Sequence, residues 1–238
     1  GAGVGGGAAG GRSAGRAALH GDAPPAYAGY TAWRAVVPFD HAALTPGESF
    51  GRGQRFGQVP LADGRVYWFA TANAPEGAAS AGGEKAGLAR RFRGWHAPVE
   101  ALIEATPEEA LLRTDLYDRP PLARWGLGRT TLLGDAAHPT TPNLGQGAGM
   151  ALEDAAVLVR RLAAGGDPAA ALRAYEAERA GRTAAVVRES RSVGAVGQWA
   201  HPAAVAVREG LFRLLPARAV LERTARFGAY DAFDPAGA

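Results

Sequence analysis

The sequence predicts an α+β fold: an antiparallel sheet, then a strand, loop and helix unit, then a C-terminal helical layer. Three observations carry this. Arg65, Tyr67, Phe69 and Thr71 alternate with Val66, Trp68, Ala70 and Ala72, the period of two of a pleated strand. Leu88, Phe92 and Trp95 recur at four- and three-residue steps with Arg90, Arg91 and Arg93 between them, the period of a helix with one apolar stripe. From Gly147 onward the chain is punctuated as successive helices, with breaks at Gly165-Gly166, at Gly194 or Gly197, at Pro202 and at Pro216.

In chain order, residues 27–38 are rich in aromatic and β-branched types and close at Pro38, which reads as a strand. Residues 52–61 and 65–72 are two more, joined through Asp63-Gly64. A helix follows over 84–95, and Pro98 opens a short one with Val99, Leu102 and Ile103 inward. Residues 110–117 suit a further strand, and 129–133 a short buried one ending at Gly134-Asp135. Asp167 and Pro168 then supply an N-cap and a first helical position for a helix through Leu172, Tyr175, Arg179 and Val186. The divisions expected are 1–26, 27–122 and 123–238.

Composition narrows the function. The net charge is +3, but the basic residues, nearly all Arg, are interleaved with Asp and Glu and form no stripe, which argues against nucleic acid as a partner. The absence of cysteine excludes disulfides, thiolate metal sites and a cysteine nucleophile, and fits a reducing, cytoplasmic setting. The five histidines show no metal-ligand spacing. No apolar stretch reaches membrane-spanning length, and the N-terminus lacks the order of a signal peptide.

The chemistry concentrates between Leu132 and Asp154, where a strand end, an acid, a Pro/Gly loop and a helix start follow one another. Asp135 at the strand end offers a carboxylate that accepts strong hydrogen bonds from sugar hydroxyls. Gly145, Gly147 and Gly149 let the backbone approach a flat ring, and the amides at the helix start, with the positive end of its dipole, favour a partly negative oxygen. Pro139 and Pro142 stiffen the loop between.

The run GDAAHPTTPNLGQGAGMALEDA resembles the second FAD-binding motif, the Gly-Asp motif, of the single-component aromatic hydroxylases related to salicylate and 4-hydroxybenzoate hydroxylases. The resemblance extends from about Tyr27 to the C-terminus through Tyr30-Thr-Ala-Trp-Arg34, Gly51-Arg-Gly-Gln-Arg-Phe-Gly57, Tyr67-Trp-Phe69 and Asp115-Leu-Tyr-Asp-Arg-Pro-Pro121. It implies part of an α/β FAD-binding fold whose sheet faces the substrate. By carry-over, Asp135 binds the ribityl chain, Pro142 lies near the flavin, the Gly147-Ala148-Gly149 backbone faces the pyrimidine edge, and Gly134, Gly145, Gln146 and Arg16 are further cofactor-binding positions. It further implies FAD as cofactor, NADH or NADPH as reductant, and O2 with a small aromatic substrate as partners. The cofactor supplies the difficult chemistry, so no side chain is assigned as catalytic. Arg34, Arg55, Phe56, Tyr67 and Phe69 are the substrate-side candidates, Glu153 and Asp154 read as structural or helix-surface acids, and His138 as a loop-shaping residue.

The family opens on a βαβ unit with GxGxxG and continues to DGxxSxxR. Here Gly1-Ala-Gly-Val-Gly-Gly6 matches the first pattern in letters alone, and Ala9-Gly-Gly-Arg-Ser-Ala-Gly-Arg16 matches the second with Ala9 in place of the acid, keeping Ser13 and Arg16 in register. Residues 1–26 are therefore expected to be a Gly-rich remnant of a largely missing Rossmann unit, and the chain by itself to bind FAD weakly or not at all. The alternatives are a non-catalytic remnant or interaction subunit whose partner supplies the nucleotide half, or a related epoxidase or halogenase; a second copy of the chain or a missing N-terminal half is the protein partner expected.

Overall fold

A computed structural model of the chain describes residues 5–7, 13–40, 42, 44–216, 218, 222, 225 and 227–233. The chain forms two compact units, Gly1–Ala26 with Tyr117–Gly194 and Leu211–Ala238, and Tyr27–Leu116 with Ala195–Gly210. A limit thus falls between Ala26 and Tyr27, the next lies between Leu116 and Tyr117 where the sequence reading has 122/123, and the segment Ala195–Gly210 groups with the sheet.

The sheet unit holds β2 (Ala26–Pro38), β3 (Gly47–Phe50), β4 (Gln54–Pro60), β5 (Arg65–Asn73) and β6 (Leu112–Asp118), in the order β3-β4-β5-β2-β6. β5 pairs antiparallel with β2 and β4, placing Phe69 opposite both Arg34 and Gly57. The period-two pattern gives this sheet two unlike faces. On one, Trp33, Ala35, Val37, Phe56, Val66, Trp68, Ala70 and Ala72 are buried with Leu88 of α2 (Glu84–Arg91), with Phe92, and with Val99, Leu102 and Ile103 of α3 (Val99–Ala105). Phe56 stacks on Trp68 at 5.2 Å, and the Trp68 indole donates to Thr106 Oγ1 at 3.0 Å, so its polar atom is satisfied inside the core. Burying each such ring contributes about 2–3 kcal/mol.

Two sequence expectations change here. Helix α2 stops at Arg91 rather than at residue 95, because Gly94 adopts a φ of +78° that a helix does not accept; Phe92 and Trp95 still pack edge to face at 4.8 Å. Strand β3 has no signal in the sequence, since Gly-Glu-Ser-Phe carries one apolar residue and no alternation.

The other unit contains β1 (Gly5–Gly7), α1 (Ala14–His20), β7 (Thr130–Leu132), α4 (Gly147–Ala163) and most of α5 (Pro168–Gly197); α6 (Pro202–Leu214) begins in the sheet unit. β1 and β7 form a parallel pair in which Gly5, Gly6 and Gly7 face Thr130, Thr131 and Leu132. Gly5 and Gly6 are thus strand residues; residues 1–4, the rest of the literal GxGxxG match, lie outside the described residues. The core joins Trp125, Leu132, Ala136, Ala137, Val157 and Tyr175. Asp167 caps α5 as expected, accepting from the amides of Ala169 and Ala170. The helix expected after Pro216 falls largely outside the described residues.

Candidate functional site

The turn after β7 is built to expose one side chain. Gly134 takes a φ of +57°, a left-handed conformation suited to glycine, and starts a 3-10 turn over Gly134–Ala136. Gly134, Ala136, Ala137, His138 and Pro139 are buried, and Asp135 alone among them points to solvent. The backbone is tied from two sides. Arg16, itself buried, donates to the Ala136 and Ala137 carbonyls at 2.8 and 3.3 Å. Its own helix is capped by Ser13, whose hydroxyl accepts from the Arg16 amide at 3.3 Å. This explains physically why Ser and Arg stand three residues apart: one starts the helix and the other braces the loop. Ala9, in the place of the motif acid, lies outside the described residues.

From the opposite side, Asp154 of α4 accepts from the Gly134 amide at 2.9 Å, from His138 Nε2 at 2.6 Å and from Arg179 Nε at 2.7 Å. Burial alone would raise the Asp154 carboxyl, but the bonds from His138, Gly134 and Arg179 outweigh it and hold it below the usual carboxylate range. Tyr175 donates to the Leu132 carbonyl at 3.2 Å, and burial, then the neighbouring Asp154, push its phenol up, so it remains a donor. Arg179 also reaches Glu153 at 2.6 Å, which Arg182 shares through bonds of 2.8 and 2.7 Å. Asp154 is therefore a structural acid and His138 a loop-shaping residue. The size of the buried network was not legible in the sequence, although Glu153-Asp154 on one helix and Arg179 and Arg182 one turn apart on the next were a signal for it.

Further along, Thr141 and Ser190 exchange hydroxyl contacts, and Asn143 donates to the Ser190 carbonyl at 2.8 Å, fixing the loop before Pro142–Leu144. Gly145 follows in a left-handed conformation and Gln146 precedes α4 without a side-chain bond to its first amides. Space lies over this helix end. A Cβ at Gly145 would meet nothing within 4 Å, at Gly147 only Thr140 Cγ2 at 3.8 Å and at Gly149 only Gln146 Oε1 at 3.9 Å. With the first amides of the helix, those of Gly147, Ala148 and Gly149, lacking intrahelical acceptors at that end, the residues fit the polar edge of a flat ring, and exposed Asp135 fits a hydroxyl-bearing chain. Among the described residues no group of three or more His, Cys, Asp or Glu is arranged for a metal, and no helix is long and apolar enough to cross a membrane.

The substrate-side candidates divide between the faces of the sheet. Arg34, Arg55, Tyr67 and Phe69 share the face away from α2 and α3, whereas Phe56 lies fully buried on the opposite, helix-covered face. Tyr67 and Phe69 set their rings 6.3 Å apart, and Phe69 lies over Gly57, where a Cβ would come within 2.3 Å of the ring. Arg34 has no ion-pair partner among the described residues. Arg55 is buried, pairs with Glu48 at 3.1 Å and donates to Thr71 at 3.2 Å, while Gly197 lets the end of α5 approach its side chain. Burial raises the Glu48 carboxyl in spite of Arg55. Arg208, which sequence reasoning passed over, donates to the Gly197 and Gly51 carbonyls at 3.2 and 2.8 Å and joins that helix end to the β3–β4 hairpin.

Comparison with known proteins identifies the family. A family model described as an FAD binding domain matches residues 28–190. The chain is 47% identical over 213 residues to an aurachin C monooxygenase/isomerase of Stigmatella aurantiaca, covering 89% of this chain and 56% of that protein. It is 41% identical over 170 residues to an FAD-dependent urate hydroxylase of Klebsiella pneumoniae, covering 69% and 44%. The crystal structure of Klebsiella pneumoniae HpxO complexed with FAD and uric acid superposes with a TM-score of 0.86 at 33% identity, over 93% of this chain and 58% of that one. The chain spans about half the length of the curated relatives it matches. It belongs to the FAD-binding family of the flavin-dependent monooxygenases.

Proposed function

We propose that the chain supplies the flavin-holding loop and the substrate-side sheet of an FAD-dependent monooxygenase that hydroxylates an aromatic or related small molecule with NADH or NADPH and O2. The observation that carries this is the turn that presents Asp135 alone beside the open, glycine-lined start of α4. When bound, FAD takes electrons from the nicotinamide and activates oxygen. The chain's own residues do the holding: Asp135 accepts from ribityl hydroxyls, and the Gly147, Ala148 and Gly149 amides meet the electron-rich edge of the ring. Gly145 and Gln146 shape the approach to that edge, Pro142 stiffens the loop, and Arg16 braces the turn. On the sheet, Tyr67 and Phe69 offer an aromatic floor and Arg34 supplies positive charge, while Arg55, buried and paired with Glu48, supports that face from within. That combination suits a ring bearing an acidic or strongly polar substituent. The absence of cysteine supports a cytoplasmic location.

The test begins with equilibrium dialysis of the purified chain against FAD, alongside the flavin absorbance shift. Binding that Asp135→Ala weakens supports the assignment, and binding that is indifferent to Asp135 refutes it. NAD(P)H oxidation with candidate aromatic acids under 18O2 then decides the reaction. One labelled oxygen in a ring hydroxyl supports hydroxylation, and label in an epoxide would replace it.

A further inference from the structure

The two ends of the turn that carries Asp135 converge on a single atom. Gly134 N, before it, and His138 Nε2, after it, both donate to Asp154 Oδ2, at 2.9 and 2.6 Å, while Arg179 Nε fixes Oδ1 at 2.7 Å. Asp154, His138 and Arg179 are all at most 2% exposed, so water does not compete for these bonds. Between the two ends, the Ala136 and Ala137 carbonyls are occupied by Arg16, and both residues are fully buried. Asp135 is thus the one outward residue of a turn whose ends cannot shift unless Asp154 releases them.

We propose that Asp154 is the positioning residue of this site: its carboxylate, by gripping both ends of the turn, sets where the Asp135 carboxylate stands. The proposal rests on the reading of Asp135 as the flavin-side carboxylate. A carboxylate suits the task because one oxygen accepts twice while the other takes the guanidinium. An amide cannot do this. With its oxygen toward Gly134 and His138, the NH2 of an Asn at this position opposes Arg179; turned the other way, it leaves the Gly134 amide without an acceptor.

Two measurements test the assignment. Amide hydrogen exchange on the FAD-free chain reads the grip directly. In Asp154→Asn the Gly134, Ala137 and His138 amides are expected to exchange about tenfold faster or more, the factor that loss of a charge-assisted bond implies. Amides of β5, in the other unit, are expected to be unchanged. A double-mutant cycle on the FAD dissociation constant, titrated into the millimolar range, then reads the consequence. Asp154→Asn is expected to weaken FAD about tenfold in the parent and less than about twofold when Asp135→Ala is already present. An equal factor in both backgrounds would mean that Asp154 acts on stability alone and would overturn the proposal, as would unchanged exchange at Gly134. If Asp154→Asn does not fold, His138→Leu, which cuts one of the two ties, enters the same cycle with the same expectations. If the parent binds no FAD, the flavin reading fails for this chain by itself, and the exchange data still decide whether Asp154 holds the turn.

Discussion

Replacing Arg179 with Met gives the most direct measure of what supports the loop. Met fills much of the volume without a polar atom, so the change isolates the loss of the guanidinium. Removing one member of a buried ion pair costs about 3–5 kcal/mol, because the other charge is left without compensation. The structure places this case at the lower end. Glu153 keeps both bonds to Arg182, and Asp154 keeps Gly134 N and His138, so the deficit falls mainly on one Asp154 oxygen. About 3 kcal/mol corresponds to a midpoint shift of about 1–2 M in urea or about 10 °C in Tm for a unit of this size. The assay is urea unfolding followed by the indole NMR signal of Trp125, the tryptophan within that unit. The pH dependence sharpens it. Asp154 has a depressed carboxyl, so its stabilisation is present above the ordinary carboxylate range and is lost as pH falls through its folded value. Without Arg179 that depression shrinks, so the deficit of the variant is largest near neutral pH and narrows on acidification. A loss below about 1 kcal/mol, or a deficit independent of pH, would refute the reasoning.

Three further outcomes follow from single contacts. Gly57→Val sets a Cβ 2.3 Å from the Phe69 ring, so the ring must leave its place; a loss of about 1–3 kcal/mol in urea unfolding and altered Phe69 ring shifts are expected. Thr106→Val removes the acceptor of the buried Trp68 indole at 3.0 Å, which costs about 1–3 kcal/mol and moves the Trp68 indole proton signal. Ser13→Ala removes the cap of α1 and costs about 1 kcal/mol, with faster exchange at the Arg16 amide as the local readout.

What the sequence disclosed follows from where its signals are local. The alternation along β5, the stripe through Leu88 and Phe92, and the Asp167-Pro168 start of α5 are each decided within a few residues, and each appears at its expected place. The Gly-Asp segment was legible for the same reason, as a strand end, loop and helix start in one run. The assignments that depend on distant partners were not. Phe56 and Arg55 are neighbours on one strand, and only the register against β5 shows that one enters the core under α2 and α3 and the other lies buried on the opposite face, against Thr71 and Gly197. Arg179 and Arg208 look like surface residues of charged helices. Their burial arises from acceptors far away in sequence, the Asp154 carboxylate and the Gly51 carbonyl.

The loop and the sheet face rest on different physics, and that difference makes their contributions separable. Tyr67 and Phe69 stand on a sheet whose other face is closed by apolar contacts among Trp33, Phe56, Trp68 and Phe92, an interaction indifferent to pH. Asp135 stands on a turn held by buried ionised groups, Arg16 on one side and Asp154 with Arg179 on the other. Substitution of an apolar core residue such as Phe92 therefore acts on the sheet and leaves the bonds that hold the turn in place. Such a substitution is expected to speed amide exchange along β5 and leave Gly134 unchanged, the reverse of Asp154→Asn.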